Sequence, residues 1–598
     1  MHKKPRRRLI HAQALLAGIL LVLPVYAQEK LVQARQALEA GRAGDAVKIL
    51  EAERRQDPAQ PEVCNLLGMA YARLEEDEKA AAMFEEFARL APNRPEAFNN
   101  LGASYLRLGD AAKAEQAFRH SLALRPRDPG TLYNLGALLN ARRQYAQARP
   151  LLERALQSQR SAGIVYELAV AETGTGDKKD ALQMLSSGSP PAGHEGLPWL
   201  RLLGTLNLDE NHVEEAASAL ERALALAPDD QISLYSLAVA RLRSDRPAEA
   251  APLLERSFAA LPTGQRYLRV GALLADYRHD DAALVEFERA AEAGPQSYDA
   301  FYNLAVLRLR KKDLSGAQQA GERALTLQTT GDVHDLLGDV YEAQGRHKEA
   351  FEHYQSATRV APDNEKFTFD LGVELIEHEN YDIAGEIFQA ATKRFPSSAR
   401  IFLGLGTAAF LGGKTPEAVQ AFLTATDLDS RDELAYTFLG EAYSFSGTYT
   451  PKVVEKLTQV AALHPESFSA QYYYAAALVQ EMEKSGDAAN APHVLEVLRG
   501  AAALKPSDGL VYYQIGNVEL LQHHLAEAAH LFEKCVALDP QFPDALYKLG
   551  RTYQKLGRRA DAERLLALHH QVATQEKTHL YRRYGEIQNF VLRVRNPN

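Results

Sequence analysis

The sequence predicts an all-α solenoid of stacked helix-turn-helix units, and three observations lead to this fold class. Small residues recur at a fixed interval, as in Gly68, Gly102 and Gly136, which lie 34 residues apart. Apolar residues fall at helical spacing over two stretches of about twelve residues within each interval. Glycine-containing turns and prolines separate these stretches. A fixed period of this length is typical of stacked supersecondary units.

The first helix of each unit carries the small residue at its eighth position. We expect this residue to let the second helix approach closely, with an alanine such as Ala114 or Ala148 facing it at the twentieth position. Glycine occupies the eighth position in most units: Gly68, Gly102, Gly136, Gly204, Gly338, Gly372, Gly406, Gly440, Gly516 and Gly550.

The ends of both helices also have sequence signals. Turns such as Gly109-Asp110, Gly345-Arg346 and Gly557-Arg558 are predicted to end the first helix, because glycine adopts the left-handed conformation common after a helix. Prolines such as Pro126 and Pro362 are predicted to stop the second helix and start the next unit.

Three places interrupt the period. The fifth unit is shortened, and a Ser/Gly/Pro cluster at 186–193 replaces the end of its second helix, which predicts a hinge or bend. The thirteenth unit has Lys452 where alanine is expected. The fourteenth unit carries an insertion around Glu483–His493, either a neutral length variation or a loop near a binding face.

The recurring pattern resembles the tetratricopeptide repeat family over roughly residues 28–576, in about sixteen units. The resemblance implies an all-α, right-handed superhelical solenoid with a concave groove that binds a partner protein or peptide. Such proteins are rarely enzymes. The units are predicted to start near residues 27, 61, 95, 129, 163, 197, 231, 264, 298, 331, 365, 399, 433, 467, 509 and 543.

The N-terminus has the pattern of a signal peptide over residues 1–27. Met1–Arg8 holds five Lys/Arg residues and no acid, and an apolar stretch follows at about Ala14–Tyr26. Val25 and Ala27 fit a signal-peptidase site, so cleavage after Ala27 is predicted. The apolar stretch is short for a membrane span, and no stable transmembrane segment is predicted in the mature chain. We therefore expect export to a bacterial periplasm or to the cell exterior.

The predicted organisation follows from these signals: a signal peptide (1–27), an N-terminal array (28–185), a hinge (186–196), a C-terminal array (197–576), and a final segment (577–598). Thr578–Gln588 is expected to form a helix that caps the last unit, with a docking tail as the alternative.

The charge balance excludes some partners. The 598-residue chain has a net charge of −10, and removal of the five Lys/Arg residues in the signal leaves about −15. Nucleic acid requires basic surfaces, so it is not an expected partner. Cys64 and Cys535 lie thirteen units apart and are expected to be buried and unpaired.

No catalytic site, cofactor or metal is predicted. Gly412-Gly413-Lys414-Thr415 resembles part of a phosphate loop, but the preceding residues belong to a repeat helix rather than to the strand that a phosphate loop requires. The sequence lacks the common zinc-protease, thiol-redox and serine-hydrolase motifs.

The resemblance places the groove on the first helix of each unit. Its fifth position carries tyrosine or phenylalanine in six units, and its thirteenth carries arginine in several; these residues suit protein binding. The alternative is that some rings pack between adjacent helices. The candidate groove residues are Tyr133, Tyr235, Tyr302, Phe369, Tyr513, Tyr547, Arg107, Arg243 and Arg310.

Asparagine recurs at the sixth position as Asn100, Asn134 and Asn303. A similar asparagine row occurs in the repeat arm of O-GlcNAc transferases. No catalytic domain follows in this sequence, so that activity is not expected here.

The tenth unit carries an acidic band on one helical face: Asp332, Asp335, Asp339 and Glu342. One hypothesis is that the band accepts a Lys/Arg-bearing segment or an amine. The alternative is a solvated stripe partly neutralised by Arg310 and Lys366. A calcium site is a weaker option, since the carboxylates lie along a helix.

Two functions therefore remain. The first is an exported scaffold or adaptor that binds a partner in the groove. The second is a structural component of an envelope assembly or secretion machine, for example in exopolysaccharide export, pilus assembly or outer-membrane assembly.

Overall fold

The computed structural model describes residues 25–446, 450–573 and Ile587. These residues form thirty-two α-helices and one short 3-10 helix, and they contain no β-strand. Consecutive helices pair, which gives sixteen helix-turn-helix units. The all-α repeat solenoid predicted from the sequence is confirmed.

The chain divides into two compact units, Met1–Ala290 and Ala291–Asn598. In the first compact unit, a 3-10 helix (Gly193–Gly196) follows the tenth α-helix, and the boundary between the two compact units falls within the sixteenth. The helices are α1 (Val25–Glu39), α2 (Ala43–Gln56), α3 (Pro61–Arg73), α4 (Asp77–Leu90), α5 (Pro95–Leu108), α6 (Ala111–Leu124), α7 (Pro129–Ala141), α8 (Tyr145–Ser158), α9 (Ala162–Thr175), α10 (Lys178–Ser187), α11 (Leu197–Asp209), α12 (Val213–Leu226), α13 (Gln231–Arg243), α14 (Pro247–Ser257), α15 (Thr263–Asp276) and α16 (Asp280–Ala293).

The second compact unit continues the same pattern of paired helices. Its helices are α17 (Tyr298–Arg310), α18 (Leu314–Leu327), α19 (Gly331–Ala343), α20 (His347–Val360), α21 (Glu365–Glu377), α22 (Tyr381–Arg394), α23 (Ala399–Leu411), α24 (Thr415–Leu428), α25 (Glu433–Ser446), α26 (Pro451–Leu463), α27 (Phe468–Ser485), α28 (Ala491–Leu504), α29 (Gly509–Leu521), α30 (Leu525–Leu538), α31 (Pro543–Lys555) and α32 (Arg559–Ala573).

The first helices begin where the period predicts. From α3 at Pro61 to α31 at Pro543, each begins within one residue of its predicted start. The agreement arises because each unit begins at a proline or at a capping residue. Asp128, for example, accepts a hydrogen bond from the Thr131 backbone at the start of α7.

The close approach predicted at the eighth position is present, with a different partner. A Cβ added at Gly102 would lie 2.6 Å from Cε1 of Phe118, and one added at Gly338 would lie 2.6 Å from Cε1 of Tyr354. Phe118 and Tyr354 occupy the twenty-fourth position of their units. The glycine thus makes room for a large buried side chain of the second helix, while Ala114 is fully buried nearby.

The turns between paired helices use a left-handed residue. Gly109, Gly345 and Gly557 have φ values of 81°, 74° and 78°, as the sequence predicts. Other units place a side chain in the same conformation, such as Arg143 at 58° and Asp245 at 57°. The turn geometry is therefore kept even where glycine is absent.

The interruptions of the period have local structures. The shortened α10 ends at Ser187, and Gly188 lies against the buried ring of Trp199. The predicted hinge at 186–196 lies inside the first compact unit, and the boundary between the units comes later, after Ala290. The insertion of the fourteenth unit lengthens α27 to 18 residues, and Gly486 ends that helix at a φ of 69°.

Several predictions fall outside the described residues. They include nearly all of the signal peptide and of the final segment after residue 576. Ile587, the one described residue of that segment, is fully buried. Within the part of the chain that the structure describes, no helix has the length and apolar character needed to cross a membrane.

Candidate binding surface

An asparagine ladder connects the first helices of three consecutive repeats in the first compact unit. It consists of Asn65 on α3, Asn99 and Asn100 on α5, and Asn134 on α7. The Asn100 amide donates to Oδ1 of Asn65 at 3.1 Å. The Asn134 amide donates to Oδ1 of Asn99 at 3.0 Å. The two bonds have the same 35-residue separation, so one contact is repeated along the solenoid.

The ladder leaves hydrogen-bonding capacity on its amides. Each asparagine amide offers two N–H donors and an oxygen with two lone pairs. An Asn–Asn bond uses one donor of one amide and one lone pair of the other. The side chains of Asn65, Asn99 and Asn100 are only half-buried. These three amides can therefore bond the N–H and C=O groups of an extended peptide.

Asn303 does not extend this pattern, although it has the same position in its repeat. Its amide donates to the carbonyl oxygen of Asp299, one turn earlier in α17, at 2.7 Å. Of the three asparagines at the sixth position, Asn100 and Asn134 therefore donate to the first helix of the preceding repeat, and Asn303 donates within its own helix.

Two of the predicted groove aromatics are exposed. Tyr235 on α13 is 40% exposed and makes an edge contact with Phe258 at a ring separation of 6.2 Å. Tyr547 on α31 is 45% exposed, with its ring 5.4 Å from that of His569. Both present the large contact area and polar tip that suit protein binding.

The other predicted aromatics pack between helices to different degrees. Phe369 is fully buried, so its prediction as a groove contact is wrong. Its ring lies 5.9 Å from that of Phe388. The Arg400 guanidinium lies over the Phe369 ring, 3.8 Å from the ring centre. Its position on the helix is the one predicted, but the neighbouring repeat covers it.

Tyr133, Tyr302 and Tyr513 are half-buried. The Tyr133 ring lies against Gly163, and Tyr302 stacks on Tyr298 at 5.6 Å. Tyr513 packs in the core of the second unit, 5.0 Å from the ring of Phe542. Packing between helices therefore accounts for much of their surface.

The predicted arginines make contacts within the protein. Arg243 donates to the carbonyl oxygen of Leu208 at 2.5 Å, and Leu208 lies in the last turn of α11, the first helix of the preceding unit. Cationic side chains are favourable at helix C-termini, so Arg243 stabilises the end of α11. Arg107 forms a 2.6 Å ion pair with the buried carboxylate of Asp77. Arg310 is exposed.

The acidic band is divided by its environment. Asp335 is buried and forms an ion pair with Lys366 of the next repeat, which also contacts Asp370 at 2.8 Å. Burial, with Asp339 and Asp370 nearby, raises the pKa of Asp335 to about 7. Burial alone would lower the pKa of Lys366, but Asp335 and Asp370 outweigh it and raise that pKa. The middle of the band is thus partly neutralised, by Lys366.

The remaining members of the band differ from one another. Asp332 and Asp339 are exposed, and Asp339 accepts a 2.7 Å hydrogen bond from the Tyr354 hydroxyl. Glu342 is largely buried at the other end of α19, beside two histidines. The four carboxylates do not form one continuous acidic surface.

The His–Glu cluster comprises Glu342, His347, Glu374 and His378. One ligand atom from each side chain lies within 4.8 Å of the others. His347 Nδ1 is 2.8 Å from Glu342, while His378 Nε2 is 3.4 Å from Glu342 and 3.3 Å from Glu374. The two imidazole rings are 4.2 Å apart. It is the only such group of His, Cys, Asp or Glu within the described ranges.

The charges of the cluster are linked. Burial opposes the charge of Glu342, but hydrogen bonding with His347 and Glu374 outweighs it and lowers the pKa of Glu342. The hydrogen bond with Glu342 raises the pKa of His347.

The sequence analysis missed this cluster. Its only sequence signals are two pairs, Glu342 with His347 five residues later and Glu374 with His378 four residues later. In the second pair, Glu374 lies in the last turn of α21 and His378 directly follows that helix, and the stacking of repeats brings the two pairs together.

Comparison with known families decides the classification. Profiles described as tetratricopeptide repeat match residues 31–95, 201–264, 272–332, 332–364, 369–433 and 519–576. A profile described as the middle TPR-like domain of cilia and flagella-associated protein 70 matches residues 88–183. The chain belongs to the tetratricopeptide repeat family.

Individual relatives of this tetratricopeptide repeat protein are distant. It is 23% identical over 302 residues to a CTR9 homolog from Arabidopsis thaliana, covering 43% of this chain and 28% of that protein. The match thus spans little more than a quarter of the relative.

Solved structures with similar repeats were also found. The Naa15/Naa10 complex bound to HypK-THB shows 14% identity, with coverage of 91% of this chain and 99% of that chain and a TM-score of 0.32. YrrB, described as a TPR protein with an unusual peptide-binding site, shows 23% identity, coverage of 28% and 88%, and a TM-score of 0.25. None of these similarities identifies a partner for this chain.

Proposed function

We propose that this protein is an exported, non-enzymatic scaffold that binds an extended segment of a partner protein on its asparagine ladder. Tetratricopeptide repeats generally mediate protein–protein interactions. The observation that carries the proposal is the pair of equivalent Asn–Asn bonds across α3, α5 and α7. They hold polar amides at one-repeat intervals without using all of their hydrogen-bonding capacity.

The spacing of the ladder suits an extended ligand. Packed helices lie about 8–10 Å apart. An extended chain advances about 3.3 Å per residue, so one repeat corresponds to roughly three residues of ligand. Amides on successive repeats would then meet equivalent backbone groups of one peptide, which gives binding with little dependence on side-chain sequence.

Site-specific photo-cross-linking in intact cells tests this proposal. A photoreactive amino acid replaces Ala103, a half-buried residue one helical turn after Asn99 on α5, and a second chain carries it at Lys113, an exposed position on α6. We expect a partner to cross-link at position 103 and not at position 113. Cross-links to several membrane proteins from position 113 alone would instead favour a structural component of an envelope machine.

Substitution of the ladder provides the matched comparison. The variant Asn100→Ala/Asn134→Ala removes both cross-helix donors and is expected to reduce the cross-link strongly. Asn303→Ala removes an asparagine from the same repeat position, where the amide bonds only within its own helix, and should leave the cross-link unchanged. Equal cross-linking by both variants would refute binding at the ladder.

Export is a separate part of the proposal, supported by the basic and apolar pattern of residues 1–27. Helix α1 begins at Val25, so cleavage after Ala27 would remove only its first three residues. Mass spectrometry of the protein from a cell fraction is expected to find Gln28 at the N-terminus, outside the cytoplasm. Intact Met1 in the cytoplasmic fraction would refute export.

A further inference from the structure

The His–Glu cluster joins two consecutive repeats of the second compact unit. Glu342 lies near the end of α19, and His347 is the first residue of α20. Glu374 lies on α21, and His378 directly follows that helix. Three helices therefore supply the four side chains.

The arrangement of donor atoms matches a four-coordinate metal site. Zinc binds histidine nitrogen and carboxylate oxygen at about 2.0–2.2 Å in a tetrahedron, which places neighbouring ligand atoms about 3.4 Å apart. The closest measured separations in the cluster are 2.8, 3.3 and 3.4 Å. The widest is within 4.8 Å. Side-chain rotations that bring all four ligand atoms to about 3.4 Å from one another would complete the tetrahedron.

The charges of the cluster also favour a cation. Carboxylate oxygens of Glu342 and Glu374 lie within 4.8 Å of each other, and Glu374 is only 1% exposed. Two carboxylates this close repel each other in a site that largely excludes water, and a cation beside them relieves the repulsion, whether it is a protonated histidine or a metal ion. A divalent ion neutralises both carboxylates, and two neutral imidazoles complete its coordination.

The chemistry of the donors selects the metal. Mixed imidazole and carboxylate ligands suit zinc, whereas calcium and magnesium prefer oxygen ligands. We propose that Glu342, His347, Glu374 and His378 bind one zinc ion. Four protein ligands fill the tetrahedron, so the site is structural. The ion links the end of α19, the start of α20 and the end of α21, and thereby stiffens the junction between two repeats.

Calorimetric titration of the EDTA-treated full chain with Zn²⁺ alone tests the proposal. We expect one zinc ion per chain to bind more tightly than any further zinc. Its binding should release protons, because histidine must be neutral to bind a metal. Loss of even an outer-shell partner weakens metal binding about 10- to 100-fold. His347→Gln/His378→Gln should therefore weaken the tight equivalent by at least that factor.

A matched control is available at the end of α29 and in the turn before α30. Glu519 and His524 form a 2.8 Å contact with the same five-residue separation as Glu342 and His347. They are not part of any group of three or more ligands among the described side chains. His524→Gln should leave the tight equivalent in place. Equal zinc binding by the wild type and the double variant would overturn the proposal, as would the absence of a tight equivalent in the wild type.

Two measurements on the wild type keep the test valid if the double variant folds poorly. Co²⁺ should give the visible absorption of a four-coordinate ion, and Zn²⁺ should displace it. Hydrogen exchange should slow on zinc addition over residues 342–378 and remain unchanged over 509–538. Exchange that is unchanged at 342–378 would mean that the cluster only shares protons, and the metal site would be rejected.

Discussion

Two Gly→Ala substitutions in one repeat are predicted to have opposite effects on stability. Gly372 on α21 faces the Phe388 ring of α22, and an added Cβ would lie 2.2 Å from Cζ of that ring. Gly404 of α23 approaches the same ring, where an added Cβ would lie 2.5 Å away. Phe388 is fully buried and held from two repeats, so it has little freedom to move. Gly385 lies on α22, and nothing is within 4 Å of its added Cβ.

The magnitudes follow from these contacts. Overpacking a close-packed core costs about 1–3 kcal/mol, and we take about 3 for Gly372→Ala because the ring is held on both sides. Alanine gains about 0.5–1 kcal/mol over glycine within a helix. The net cost is about 2 kcal/mol, which corresponds to a roughly 30-fold increase in local opening. Gly385→Ala has only the gain and should reduce opening about 2- to 5-fold.

Native-state hydrogen exchange of the full chain measures this difference. Peptides from 365–411 should exchange faster in Gly372→Ala and slower in Gly385→Ala. Peptides from 61–90 should not change in either variant, because each repeat contacts only its neighbours. Exchange that changes in the same direction in both variants would refute the assignment of Gly372 as a close-contact position.

Three further predictions concern other repeats. Burial raises the pKa of Glu172 to about 7, above its unfolded value of about 4.3, so its native state holds a proton that the unfolded chain loses. The free energy of unfolding should fall as pH rises from about 4.3 to about 7, and at pH 8 Glu172→Gln should be more stable than the wild type by up to about 3 kcal/mol. Equal pH dependence of the two proteins would contradict this. Arg243→Ala should speed exchange at the end of α11 by about 2- to 10-fold through loss of the bond to Leu208, whereas unchanged exchange there would argue against the cap. Cys64 and Cys535 are fully buried, so a thiol reagent should label them only on unfolding, and rapid labelling of the native protein would show that these repeats open.

The fold could be predicted because every repeat restates it. A proline or capping residue marks each start, and the glycine at the eighth position marks the contact between paired helices. Single units are degenerate, but their recurrence fixes the starts of fifteen first helices to within one residue. The partner of the glycine was less predictable, since a sequence position does not show which side chain fills the space above it.

Position in the repeat predicted the helix of each candidate residue but not its exposure. Tyr235 and Phe369 occupy equivalent positions, yet the first is 40% exposed and the second is fully buried. The difference arises in the neighbouring repeat, where Arg400 covers Phe369. Such coverage depends on packing between repeats, which the spacing within one repeat does not encode.

The same reasoning explains why the His–Glu cluster escaped prediction. Glu342 was grouped with the acidic residues of its own helix face, although its contacts are with His347 beyond the turn and with His378 in the next repeat. His347 is five residues from Glu342 but lies on the next helix, and His378 is 36 residues away, about the length of a repeat. In a solenoid, residues one repeat apart should therefore be compared before a face of a single helix is interpreted.

The asparagine ladder and the His–Glu cluster are predicted to act independently. The ladder lies on α3, α5 and α7 of the first compact unit, and the cluster lies on α19 to α21 of the second. Energetic coupling in a repeat protein passes mainly between neighbouring repeats, and several repeats separate these helices. His347→Gln/His378→Gln should therefore weaken zinc binding while the cross-link at position 103 persists. Asn100→Ala/Asn134→Ala should reduce that cross-link and leave zinc binding unchanged. Loss of both activities in either variant would show that the repeats between them respond as one cooperative unit, contrary to nearest-neighbour behaviour.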